Sequence, residues 1–97
     1  MREHWSYSKE GYKDKTGLRW HFVTCSYFDD EIDYSESPIE IFFRNDDRSY
    51  YGSIRFERKK DNPYMFAKLA QKVMSNQDFR EECRSPESKS VWSQNWK

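Results

Sequence analysis

Ninety-seven residues are expected to fold as one domain, with a second not fitting within them. With 19% aromatic residues the chain is too ring-rich for a disordered polymer, and no run approaches the ~20 apolar residues that a membrane-spanning helix needs. Seventeen basic residues balance seventeen acidic ones, which argues against a dedicated polyanion binder, since such domains carry a basic excess.

The N-terminal decapeptide MREHWSYSKE lacks the apolar core of a signal peptide, so the expected location is cytoplasmic. Trp5 and Tyr7 at period two begin a strand that extends toward Lys13. Residues 14–17, Asp-Lys-Thr-Gly, have the composition of a turn, with Gly17 where positive φ is needed. From Leu18 to Phe28 the pattern alternates again: Leu18, Trp20 and Phe22 on one side, Arg19, His21, Val23, Cys25 and Tyr27 on the other. This is the longest expected strand.

Residues 29–36 form an acidic connection with five carboxylates in eight residues, and Pro38 forces extended geometry on its predecessor. A β-hairpin follows. Ile39, Ile41 and Phe43 alternate with Glu40, Phe42 and Arg44, then Asn45, Asp46 and Asp47 interrupt, and Tyr50, Ile54 and Phe56 resume the alternation. Gly52 inside the second arm marks a bulge or a close approach by another backbone or ring.

Asn62 and Pro63 read as a helix start. Phe66, Leu69, Ala70 and Val73 then fall on one stripe of an amphipathic helix ending near residues 74–76. Ser75 or Asn76 is placed to cap a short second helix anchored by Phe79, and Pro86 stops it. Residues 1–85 are expected as one α+β domain and residues 86–97 as a tail with Trp92 and Trp96. The fold class is α+β: a four-stranded antiparallel meander (ββββα), one amphipathic helix packed on one face, a short second helix and the tail.

Period two sorts the strands by face. Trp5, Tyr7, Trp20, Phe22, Ile39, Ile41, Phe43, Ile54 and Phe56 are assigned to the face beneath the helix. The opposite face then displays Arg19, His21, Val23, Tyr27, Phe42, Arg44, Tyr51 and Arg55. On it, Tyr27, Phe42 and Tyr51 suit base stacking while Arg19, Arg44 and Arg55 suit phosphates, a platform for single-stranded nucleic acid that lacks any RNP or KH motif. The structural alternative is a second small core, with Trp92, Trp96 or Phe79 folded onto this face.

Charge is distributed in blocks: +2 over residues 1–20, −7 over 21–47 and +5 over 48–97. Within the acidic block, Asp29, Asp30, Glu31, Asp33 and Glu36 enclose Ile32 and Tyr34, so charge for steering lies beside apolar anchors for docking. The spacing lacks the alternate oxygens and the glycine of a calcium loop, so no metal is expected, and no cofactor motif is present.

Two cysteines, Cys25 and Cys83, make no metal pattern and are expected as free buried thiols. Cys25 and His21 share a strand face but stand about 13 Å apart along it, too far for proton transfer; His4 on a neighbouring strand is the other candidate base. Without an orienting group or oxyanion site, an enzyme is not expected. The leading expectation is a non-enzymatic module that binds a protein partner through the acidic loop and exposed aromatics, with single-stranded nucleic acid as the alternative ligand.

Overall fold

A computed structural model describes residues 2–7, 11–31, 37–56 and 63–95. It is an α+β fold. Five strands, β1 (Arg2–Tyr7), β2 (Tyr12–Lys13), β3 (Arg19–Phe28), β4 (Ile39–Asn45) and β5 (Tyr51–Phe56), form one antiparallel sheet. Its order is β1-β3-β4-β5, with β2 also paired to β3, so the expected meander is the architecture. Three helices follow among the described residues, α1 (Pro63–Ser75), α2 (Gln77–Glu82) and α3 (Glu87–Asn95). Among the described residues no helix is long and apolar enough to cross a membrane.

The turn before β3 is built on one carboxylate. Gly17 takes φ +87°, and Asp14 Oδ1 accepts hydrogen bonds from Thr16 N at 2.9 Å, Thr16 Oγ1 at 2.6 Å and Leu18 N at 3.1 Å. Its Oδ2 accepts from the indole Nε1 of buried Trp20 at 3.0 Å. These bonds, led by the Thr16 hydroxyl, stabilise the ionised form and lower the Asp14 pKa from 3.8 to about 2. Because the folded pKa lies below the unfolded one, the stabilisation is complete above pH 3.8 and fades as pH falls toward 2. Asp14→Asn is therefore expected to lower the melting temperature at pH 7 by roughly 5 °C, a loss of about 1 kcal/mol. Melting curves from pH 5 down to pH 2 should show the two proteins converge.

The first core lies between one sheet face and helices α1 and α2. Trp20, Phe22, Ile41 and Phe43 from the strands and Tyr50 from the β4–β5 turn meet Ala70 and Val73 of α1, with Leu69, Met74, Phe79 and Cys83 packed around them. The rings of Trp20, Phe22 and Tyr50 stand about Phe43 with centroids 6.0–6.2 Å away, the first two tilted against it and Tyr50 stacked on it. Asn76 caps α2, its side chain accepting from Phe79 N at 3.0 Å. The Arg80 guanidinium donates to the carbonyls of Val73 and Met74, which the end of α1 leaves without helical partners, and lies 5.2 Å from the Trp20 ring centre. The cap expected at Asn62 lies outside the described residues.

A second core occupies the opposite face. Val23, Cys25 and Phe42 are buried beneath Trp92 of α3, with Trp5, Tyr27, Tyr51 and Val91 around them. Two expectations change here. Residues 86–97 were assigned to a tail, whereas Glu87–Asn95 is helical and Trp92 is only 6% exposed. Trp5 was assigned to the face beneath α1, whereas Trp5 pairs with Cys25 and stacks on Phe42 at 5.8 Å, in the second core. The cause is register: β1 pairs its odd-numbered residues with odd-numbered residues of β3, Trp5 with Cys25 and Tyr7 with Val23, the opposite parity to the one expected, and β2, which aligns Tyr12 with Trp20, is offset by two residues, which breaks the strand without changing the face. The single strand expected over Trp5–Lys13 is thus two, and a one-residue difference in pairing decides which face a side chain takes.

Candidate functional site

The Arg and aromatic residues expected on the second face do come from neighbouring strands. Arg44 pairs with His21 on one side and Tyr51 on the other, and Phe42 pairs with Val23 and Ser53. They do not make an open platform. Phe42 is 5% and Arg44 6% exposed, and the Trp92 ring sits 4.8 Å from the Arg44 guanidinium carbon. Burial lowers the Arg44 pKa, with the nearby Arg48 charge adding to it, and Arg44 donates to the Asn45 carbonyl at 3.1 Å. Arg19 and Tyr51 are half-buried, and Arg55 is exposed.

Tyr27 lies toward the other end of this face. Its hydroxyl donates to Glu40 Oε1 at 3.1 Å, and Arg55 stacks over its ring at 5.2 Å. Burial first, then the neighbouring Cys25 and Glu40, raises the Tyr27 pKa, so the phenol stays protonated. Burial also pushes the Cys25 thiol up to about 11. A thiol held protonated and fully buried is a poor nucleophile. His4 pairs with Ser26 and so belongs to the opposite face from Cys25, and no base is delivered to the thiol from that strand.

At the end of β3 the chain enters the acidic segment. Asp29 is half-buried, and Asp30 and Glu31 are exposed. The Asp29 carboxylate accepts from Glu31 N at 2.9 Å, turning the chain away from the strand. Ile32, Asp33, Tyr34 and Glu36 lie outside the described residues. Glu3, exposed and opposite Tyr27, stands one strand over, and Glu40 opposes Cys25 on the next. The carboxylates of Glu3, Glu40, Asp30 and Glu31 therefore belong to one end of the sheet, although they are far apart in sequence. The alternation itself signals Glu3 and Glu40; what it lacks is the register that brings them level with residues 29–31.

The opposite end of β3 has mixed charge. His21 Nε2 and Asp46 Oδ1 are 2.9 Å apart, and this bond, more than any neighbouring charge, holds the Asp46 carboxyl below its ordinary range. Asp47 likewise binds Ser49 through its hydroxyl and backbone N–H. These carboxylates are committed to shaping the β4–β5 turn, in which Asn45 receives the Tyr50 N–H and donates to the Ser49 hydroxyl. Among the described residues, no group of three His, Cys, Asp or Glu side chains is arranged to hold a metal ion.

Compared with protein-family models, with curated proteins and with solved structures, the chain matches none.

Proposed function

We propose that the protein is a non-enzymatic interaction module that recognises a protein partner through the acidic segment 29–36 and acts by occupancy. The observation that carries this reading is the exposure of Asp30 and Glu31 at the same sheet end as exposed Glu3. Grouped carboxylates steer a basic partner and raise its rate of association. In support, Cys25 on the second face is buried as a protonated thiol. The nucleic-acid alternative needs Phe42 and Arg44 in contact with solvent, and Trp92 covers both.

The test uses a fluorescent peptide of alternating arginine and leucine, followed by anisotropy at two salt concentrations. Binding should weaken by roughly tenfold when Asp29, Asp30 and Asp33 become Asn and Glu31 becomes Gln, a loss on the order of 1.4 kcal/mol. A labelled single-stranded oligonucleotide should not bind. Peptide binding indifferent to the substitutions, or oligonucleotide binding that falls steeply with salt, would overturn the reading.

A further inference from the structure

The two edges of the sheet are treated differently. Along β5, residues 83–85 run beside the strand: Ser53 N donates to the Cys83 carbonyl at 2.9 Å and Ser85 N to the Tyr51 carbonyl at 3.1 Å, with Gly52 bridged to Arg84. That edge is closed. At β1, among the described residues, β3 is the strand's sole backbone partner and the outer edge carries none.

The direction of the β1 peptide groups follows from β3. Tyr27 N donates to the Pro38 carbonyl and the Arg19 carbonyl accepts from Asp46 N, both on the β4 side, whereas the Leu18 carbonyl accepts from Asp14 N on the other. Odd-numbered residues of β3 thus turn their peptide groups toward β4 and even-numbered ones toward β1. Phe28, Ser26 and Thr24 are opposite Arg2, His4 and Ser6, which therefore bond to β3. Glu3, Trp5 and Tyr7 present their N–H and C=O groups outward. Such a row is a template for another strand.

Charge selects the occupant. The Glu3 end of this edge lies where β3 runs out into Asp29, Asp30 and Glu31, four carboxylates against the one cation of Arg2, and the other end carries Lys13, opposite Arg19, and exposed Lys15 in the turn, three cations against Asp14. A second copy lying antiparallel about a two-fold axis sets the acidic end of each chain against the basic end of its mate, at both ends at once. A parallel copy would oppose like charges. We infer that the outer edge of β1 pairs antiparallel with β1 of a second copy of this chain, joining two sheets into one. This rests on the reading that the acidic segment engages a protein, and it names that protein.

Sedimentation equilibrium of the full chain over a wide concentration range tests it. The mass should rise from monomer to dimer, and added salt should weaken the association. Glu3→Pro removes one outward N–H without touching a bond to β3, a position that an edge strand tolerates, and should raise the dissociation constant at least tenfold with the far-ultraviolet spectrum unchanged. Glu3→Gln, which keeps the N–H, should dimerise within about threefold of wild type. Independently of Glu3→Pro folding, the pair Asp30→Lys/Glu31→Lys and Lys13→Glu/Lys15→Glu should each self-associate poorly and form a heterodimer when mixed. A wild-type chain that stays monomeric throughout, or a dimer indifferent to all these changes, would overturn the inference. A monomer that still captures the arginine-leucine peptide would remove the second copy and leave the acidic-segment reading standing.

Discussion

Gly52→Ala is expected to lower the melting temperature by about 15 °C, a loss of about 2–3 kcal/mol. Gly52 pairs with Phe43, whose ring lies across it. A methyl group there would meet Phe43 Cζ at 2.5 Å and Cε2 at 2.7 Å, and the Cys83 carbonyl oxygen at 2.8 Å. The ring has no free direction to move: it is fully buried, and Trp20, Phe22 and Tyr50 surround it. Nor does the carbonyl, which is bonded to Ser53 N. Relief must come from displacing residues 83–85 or from expanding the first core. Urea unfolding of Gly52→Ala, Phe43→Leu and the double variant forms a cycle, and the double variant should recover part of the loss because the smaller side chain vacates the clash.

Trp92→Ala is expected to cost about 3 kcal/mol, and to do so locally. Trp92 is the one fully covered ring that α3 contributes to the second core, where it lies over Phe42 and Arg44. Without it α3 has Val91 as its remaining described apolar contact. The helix should detach while the first core persists. Hydrogen exchange should then accelerate at α3 and leave the Trp20 cluster protected, and unfolding followed by fluorescence and by circular dichroism should no longer coincide. Trp92→Phe should retain most of the stability, losing chiefly the stronger attraction of an indole for the guanidinium. A single coincident transition in Trp92→Ala would show that the two cores melt as one unit.

The parts of the fold governed by local rules were legible in the residues. Period two located β3, β4 and β5, the i, i+3, i+4 stripe located α1, and Gly17, Gly52 and Asn76 each serve the role their chemistry suggested. The face of Trp5 was not legible, because it depends on whether β1 sets its odd-numbered residues against odd- or even-numbered residues of β3, which alternation within one strand does not encode. Helix α3 was hidden for a different reason: ESKSVWSQN offers one adjacent apolar pair and three serines, too narrow a stripe to signal a helix before its landing site is known. The same long-range contact decides whether Arg44 and Phe42 meet solvent. Period two put them on the second face, and of the two readings offered for that face it is the second small core, covered by Trp92, that the structure takes. The carboxylates of residues 29–31 were plain in the sequence, whereas their grouping with Glu3 and Glu40 required the strand register.

The strip at residues 83–85 has a mechanical consequence. It links α2 to α3 and is fastened to β5 by the bonds from Ser53 N to Cys83 and from Ser85 N to Tyr51. A load applied at the C-terminus first peels α3 from the sheet and then bears on those two hydrogen bonds, while α1 and the first core stay shielded behind them. The strip acts as a clasp, so the chain should yield to tension in two steps, the weaker one reversible without disturbing the rest of the molecule.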